Sequence, residues 1–384
     1  MNVAVLGAGR VGATIATDLA ADDGFDVLVA DRDGAALERL RDVPVRRLAA
    51  DLTDSAVLRR LVGEQELVVG ALPASLGYRT LEIALEAGCH VVDISFFEED
   101  PFTLDELAKR RGAVALVDCG VSPGLSNLIL GHVESRGDPV DRFTCLVGGL
   151  PADRGGLFQY KAPFSPMDVI EVYTRPARYK EGGAVRTAPP LSAVETVDVE
   201  GLGTLEAILT DGLRTVLADE RVPHMRELTL RYPGHAAQMR LLNAMGLFGT
   251  EPIDVAGARV RPRELVARLL FPLWEFGPGE ADLTVMRVEI DVGGATPRRL
   301  VFELLDRYDP ATQTSSMART TGYTCTAIVR LVAAGAWSTP GVAPLEAVGR
   351  EAGCYEQVVR DLAQRGVVLR ERVEIRPSHG AASR

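Results

Sequence analysis

The sequence predicts an α/β protein, with an N-terminal doubly wound parallel sheet followed by a second α+β domain. Three observations predict it. Over roughly the first 125 residues, short apolar runs alternate with amphipathic stretches of helical period. A glycine-rich turn, Gly7-Ala8-Gly9-Arg10-Val11-Gly12, follows the first apolar run directly and opens the first amphipathic stretch. Beyond position 124 the rhythm changes to longer segments of strict alternation, as in antiparallel or mixed sheets with one buried face.

Strands are expected at 3–6, 27–30, 45–49, 67–71, 91–94 and 114–117, because each run is apolar, short and bounded by turn residues. Helices are expected between them at 11–20, 35–41, 55–62, 79–87 and 104–111. Repeated βα units of this kind make a Rossmann sheet over 1–124. A helix at 125–135 then leaves the first domain. The segments 142–148, 195–199, 227–232 and 283–291 read as strands, and 300–305 pairs with the last of them across Gly293-Gly294. Residues 125–316 are expected to form a substrate-binding and oligomerisation domain. A long helix at 317–334, shorter ones at 345–351 and 357–364, and a strand at 367–371 return the chain to the first domain over 317–377. The small, polar stretch 378–384 is expected to be a disordered tail.

Composition narrows the function classes. The chain has 384 residues, 47% of them hydrophobic and 25% charged, with a net charge of −11. Those values suit a globular protein with a sizeable core. The acidic balance argues against nucleic-acid and anionic-membrane partners. The first apolar run stops at Gly7 with no basic segment before it, so no signal peptide is expected. The five cysteines are scattered and form no C-x-x-C pair, which argues for reduced thiols in a cytoplasm and against a metal site.

The glycine-rich turn points to a dinucleotide. Gly7 allows the tight turn, Gly9 lets the backbone approach a pyrophosphate, and Gly12 lets helix and strand pack closely. Arg10 and Val11 stand at the entry to the helix whose N-terminal amides and dipole favour phosphate. Asp31 ends the second strand, nineteen residues after Gly12. A carboxylate there accepts both ribose hydroxyls and repels a 2′-phosphate, so the expected cofactor is NAD, with NADP less favoured. Arg32 pulls the other way, since its guanidinium suits a 2′-phosphate. Asp51 and Leu52 follow the third strand, where the adenine is expected; helix capping is the alternative for this loop. Ala71-Leu72-Pro73 ends the fourth strand, where small residues line the nicotinamide ribose or merely turn the chain.

A series of later motifs carries a resemblance. They are Asp118-Cys119-Gly120-Val121-Ser122-Pro123-Gly124-Leu125-Ser126-Asn127, Gly148-Gly149-Leu150-Pro151, Tyr160-Lys161-Ala162-Pro163-Phe164-Ser165-Pro166, Arg231-Tyr232-Pro233-Gly234-His235 and Met317-Ala318-Arg319-Thr320-Thr321-Gly322. In this order the chain resembles the saccharopine dehydrogenase family, over nearly its whole length, and most of all its lysine 6-dehydrogenase branch. The resemblance implies hydride transfer from a C–N bond to a nicotinamide, giving an imine that water hydrolyses. The ε-amine of L-lysine would yield 2-aminoadipate 6-semialdehyde, which cyclises to a piperideine carboxylate. Saccharopine reductases typically carry a second acidic residue where Ser122 stands, and cysteine where Val147 stands. A saccharopine reductase, or a relative acting on another diamino acid or a carboxy-polyamine, is the neighbouring alternative. A non-catalytic NAD-binding regulatory or scaffold protein is the alternative of another class. A homodimer or homotetramer is implied by the resemblance.

The reaction requires a base, because only the free amine releases hydride from its carbon and an amine near pKa ~10 is protonated at neutral pH. Asp118 ends a parallel strand, at the edge where such sheets bind ligands. It is a candidate to hold or deprotonate the amine, or alternatively to cap the next turn. His235 titrates in a range suited to proton transfer, and the family motif favours that role over a structural one. Arg231 is the first candidate for clamping a carboxylate and Lys161 the second, with proton transfer also open to Lys161. Tyr160 would orient Lys161 or pack as an aromatic. Ser122, Thr320 and Thr321 are counted with the substrate-binding residues, the two threonines alternatively as N-caps of the late helix.

Overall fold

A computed structural model describes residues 1–162, 166–277, 279–294 and 296–375. Contacts divide the chain into two units: Met1–Gly137 with Ala318–Val368, and Asp138–Met317 with the residues from Leu369 onward. The first unit opens with β1 (Asn2–Leu6), α1 (Arg10–Ala20), β2 (Asp26–Asp31), α2 (Gly34–Glu38), β3 (Arg46–Ala49) and α3 (Ser55–Val62). It continues with β4 (Leu67–Gly70), α4 (Ala74–Ala87), β5 (His90–Asp93), α5 (Asp105–Arg111), β6 (Val114–Val117) and α6 (Leu125–Ser135). The second unit contains β7 (Val140–Pro151), α7 (Pro166–Val172), β8 (Ala177–Glu181), β9 (Ala184–Ala188), β10 (Val194–Val199) and β11 (Gly203–Thr210). It goes on through β12 (His224–Arg231), α8 (His235–Ala244), β13 (Ile253–Val255), β14 (Ala258–Val260), α9 (Pro262–Trp274), β15 (Asp282–Val292) and β16 (Arg298–Arg307). The long α10 (Ser316–Ala333) leads back to β17 (Gly341–Pro344), α11 (Leu345–Arg350) and α12 (Cys354–Gln364) of the first unit, and β18 (Leu369–Ile375) closes the described chain.

The first sheet runs β17-β6-β5-β4-β1-β2-β3, every pair parallel. Strands β1, β4 and β6 are buried almost throughout, as expected when helices cover both faces. The order reverses between β1 and β4, the switch point at whose carboxyl edge open α/β sheets bind ligands. The second sheet runs β10-β11-β12-β7-β15-β16-β18, with β12 and β7 parallel and the other neighbours antiparallel. The expected pairing of β15 with β16 is present over both strands' lengths.

Two expected boundaries are corrected. The helix at 125–135 was read as leaving the first domain, but α6 belongs to the first unit. A Cβ on Gly131 would lie 2.0 Å from the Glu346 carbonyl oxygen, and one on Gly349 2.1 Å from that of Leu128. Glycines at both positions let α6 and α11 touch backbone to backbone. The last strand was expected to return to the first domain; β18 instead pairs antiparallel with β16 of the second unit. The tail 378–384 and the motif residues Pro163, Phe164 and Ser165 lie outside the described residues. No helix among the described residues is long and apolar enough to cross a membrane.

Candidate active site

The turn between β1 and α1 forms a backbone cradle. A Cβ on Gly7 would sit 2.3 Å from the Ala71 carbonyl oxygen, and one on Gly12 2.0 Å from the Gly7 carbonyl oxygen. Both positions therefore exclude any side chain. A Cβ on Gly9 would meet nothing within 4 Å, so the space above the turn is open where a pyrophosphate needs it. Gly9 caps α1 without a side-chain hydrogen bond, and the first turn carries no acidic residue. The N-terminal amides are thus left to an anion. Asp31 reaches under the turn: its Oδ2 accepts from the Ala8 amide at 2.6 Å and its Oδ1 from the Asp33 amide at 2.8 Å. Each oxygen keeps a second lone pair for a ribose hydroxyl. Arg10 and Arg32 are exposed, Val11 is half-buried, and Arg39 donates to the Ala8 carbonyl at 3.4 Å. Ala71 supports the turn, Leu72 packs on the core and Pro73 caps α4. Leu52 is buried. Asp51 accepts from both the amide and the hydroxyl of Thr53, which hold its carboxyl below the usual range. The residues present fit a dinucleotide.

At the carboxyl edge of the same sheet, β5 and β6 are followed by buried acids. Asp118 is 4% exposed and adopts φ 57°, a left-handed conformation that Asp tolerates better than most residues. The cap of α6 is Gly124, with the Asn127 side chain accepting from its amide. Asp93, wholly buried at the end of β5, was missed by sequence reasoning. Its Oδ1 accepts from the Ser95 amide, and its backbone carbonyl from the Cys119 amide. The signal was present in the sequence: an acid inside the otherwise apolar run 91–94. Ser122 receives the Ser126 hydroxyl at 3.2 Å. Thr320 is buried in the second turn of α10 and Thr321 follows it, so neither is an N-cap. That position is served by Asp282, which accepts from the Ser316 and Met317 amides at 2.6 and 2.9 Å.

The second unit brings Tyr160, Arg231 and His235 together around Tyr173, which belongs to the stretch Tyr173-Thr174-Arg175-Pro176-Ala177 that also carries the resemblance to lysine 6-dehydrogenase and to which the sequence assigns no site role. The Arg231 guanidinium lies 4.4 Å from the Tyr160 ring centre, donates from Nε to the Tyr173 hydroxyl at 2.9 Å and from Nη1 to the Leu230 carbonyl at 2.8 Å. His235 Nδ1 lies 3.0 Å from the Phe158 carbonyl and Nε2 2.8 Å from the Tyr173 hydroxyl. A carbonyl only accepts, so Nδ1 carries the proton and Nε2 accepts from Tyr173. Every proton in the chain Arg231–Tyr173–His235–Phe158 is thereby placed, and Nη2 of Arg231 takes no part in it. Burial, with the Arg231 charge, pushes the His235 pKa down to about 3. The ring is therefore held neutral, with a hydrogen bond at each nitrogen. Burial raises the Tyr160 and Tyr173 hydroxyls above their usual range. Behind Arg231, Glu227 accepts from the Thr210 hydroxyl, and burial lifts its pKa to about 7. Lys161 stands apart from this network, paired with Glu280. Tyr160 therefore orients Arg231, not Lys161.

A Rossmann sheet with an open glycine cradle and a mixed-sheet unit enclosing a buried arginine define a dinucleotide-dependent class of protein. Family models described as the saccharopine dehydrogenase NADP binding domain and the saccharopine dehydrogenase C-terminal domain match residues 3–116 and 120–367. The chain belongs to the saccharopine dehydrogenase family. It is 26% identical over 252 residues to an alpha-aminoadipic semialdehyde synthase of Arabidopsis thaliana, covering 61% of this chain and 23% of that protein. It is 23% identical over 282 residues to the saccharopine dehydrogenase (NADP(+), L-glutamate-forming) of Saccharomyces cerevisiae, covering 70% of this chain and 63% of that one. The chain thus spans less than two thirds of the length of these relatives. Among solved structures, it shares its fold with apo saccharopine dehydrogenase (L-Glu forming) from Saccharomyces cerevisiae, at a TM-score of 0.80 and 20% identity over 97% of this chain and 99% of that one. A homospermidine synthase from Legionella pneumophila in complex with NAD gives a TM-score of 0.65 at 11% identity, over 100% of this chain and 94% of that one.

Proposed function

We propose that the chain is a nicotinamide-dependent oxidoreductase acting on a carbon–nitrogen bond, with the ε-amine of L-lysine as substrate and 2-aminoadipate 6-semialdehyde as product. The observation that carries this reading is Arg231. Among the described residues of the second unit it is the one buried arginine, its fork is fixed by Tyr173 and Leu230, and Nη2 is left for a carboxylate. Lysine presents one carboxylate; saccharopine presents three. A bound nicotinamide supplies the hydride acceptor. The chain's own part is to hold the pyrophosphate on the α1 amides and the adenosine ribose on Asp31. It must also take one ammonium proton so that the amine nitrogen's lone pair can drive hydride loss from its carbon. Asp118, buried and held at the carboxyl edge of β6, is the proposed base. Water then adds to the imine carbon, and ammonia leaves.

Asp31 supports NAD as the preferred cofactor, against the NADP in the names of the family model and the yeast relative. The five cysteines are buried free thiols, which supports a reducing, cytoplasmic setting. Saccharopine is the second reading, favoured by the names of the relatives. The test is purified protein with NAD or NADP and, separately, lysine, saccharopine, ornithine and carboxynorspermidine, read by nicotinamide absorbance. Lysine turnover is expected; saccharopine turnover without lysine turnover would replace the first reading by the second.

A further inference from the structure

Arg231 is 5% exposed, too little for a carboxylate to seat on its guanidinium unless something beside it moves. The Tyr160 ring lies over that guanidinium and is itself buried. Tyr160 belongs to residues 154–161, which run between β7 and α7 of the second unit and form neither helix nor strand. Both ends of this segment are anchored. Arg154 donates to the Leu202 carbonyl at 2.7 Å, with its guanidinium 4.2 Å from the Tyr232 ring centre. At the other end Lys161 is paired with Glu280, and the Ala162 amide donates to the Trp274 carbonyl at 2.9 Å. Between the anchors little apolar surface holds the segment down: Leu157 is 74% exposed and Phe158 half-buried.

What holds the middle is α8. His235 and Gln238 stand three residues apart, on one face of that helix, and they bond successive carbonyls. Nδ1 of His235 meets Phe158 at 3.0 Å, and Nε2 of Gln238 donates to Leu157 at 2.9 Å. The grip is incomplete. Gln238 Oε1 is buried without a hydrogen-bond partner among the described residues. So is Nε1 of Trp274, whose ring meets Phe158 and Tyr160 edge to face, at 6.0 and 5.3 Å between ring centres. Gln159 is held at φ 47°, a conformation that favours glycine. Unmet polar atoms and a left-handed residue both cost free energy in the closed form, which brings an open form within reach. Gly156 supplies a pivot. Its φ is not left-handed and a Cβ there would meet nothing within 4 Å, so the closed shape does not require glycine, whereas movement gains from its freedom.

We propose that Gln238 and His235 are positioning residues: they latch residues 154–161 as a strap that lays Tyr160 on Arg231, and release of the latch opens the way for a carboxylate to Nη2. The role of the strap rests on Arg231 taking the substrate's carboxylate. The test is amide hydrogen exchange of the full-length protein, read by mass spectrometry on peptides within 155–162 and on those of α8 and β12. Without ligand, Gln238→Ala is expected to speed exchange of the strap about fivefold, the effect of one lost hydrogen bond, and to leave α8 and β12 unchanged. Wild-type exchange of the strap in a folded Gln238→Ala variant would overturn the latch. Gly156→Ala, which stiffens the pivot, is expected to slow strap exchange about twofold or more; it decides the matter if Gln238→Ala does not fold, and an unchanged rate would then overturn the proposal. Saturating lysine is expected to slow strap exchange in the wild type, and Gln238→Ala to raise the KM for lysine more than it lowers kcat. A latch that responds to Gln238→Ala but not to lysine would remove the carboxylate from Arg231 and keep the strap, so the two readings fail separately.

Discussion

A histidine after a Pro-Gly turn reads as a proton carrier because free imidazole titrates near neutrality. Whether it can act as one depends on its neighbours, and His235 has Arg231, two tyrosines and a carbonyl around it. Tyr173 links these groups. Tyr173→Phe would leave Arg231 Nε and His235 Nε2 without their shared partner, and should cost about 1–3 kcal/mol of stability in urea unfolding. If Arg231 anchors a carboxylate, the same variant should raise KM more than it lowers kcat; an unchanged KM would make the tyrosine purely structural. Glu227 predicts a pH dependence. Its pKa rises from 4.5 to about 7 on folding, so the folded state binds the extra proton between those values. Its contribution is then fully present below pH 4.5 and is lost as pH rises through 7. Glu227→Gln should remove that loss, on the order of 3 kcal/mol, in unfolding curves compared at about pH 5 and about pH 8. Parallel curves for variant and wild type would contradict it.

The nucleotide-binding elements were legible because each rests on a local pattern. Strands β1 to β6 fell within two residues of their expected ends, and α3 and α6 were read as they stand, since short apolar runs and amphipathic helices announce themselves. Other elements carried no such pattern. In α9, apolar residues on both faces and Pro272 inside the helix blur the period; β13 and β14 are three residues each and exposed. The glycine turn allows a paired prediction. Gly9→Ala meets open space at φ −62°, so the melting temperature should hold within a degree or two while dinucleotide affinity falls, measured by titration calorimetry. Gly12→Ala drives a methyl into the Gly7 carbonyl and should lower stability by about 1–3 kcal/mol. Equal effects of the two on melting would refute this division of labour.

Across the whole molecule, the first unit is built from both ends of the chain, 1–137 and 318–368, and the second from the middle together with β18. Ligand binding to the cradle should therefore stabilise a unit that includes α10, α11 and α12. At a hundredfold excess over its dissociation constant a dinucleotide should add about 2.7 kcal/mol, seen as a rise in melting temperature. If Asp31 selects against a 2′-phosphate, NAD should give the larger rise at equal concentration; a larger rise with NADP would assign the choice to Arg32. The sequence by itself determined the parallel sheet, the glycine cradle, the acid at its rim and the family, because these depend on neighbours within a turn or a βα unit. Only the tertiary structure decided that α6 stays with the first unit, that β18 joins the second, and that Tyr173 and Phe158 hold Arg231 and His235. These depend on backbone contacts and hydrogen bonds between residues that can lie more than two hundred positions apart, and no local period in the sequence records them. The glycine turn that announces the cofactor is thus a short-range feature, whereas the hydrogen-bonded cluster around Arg231 exists only once the chain has folded.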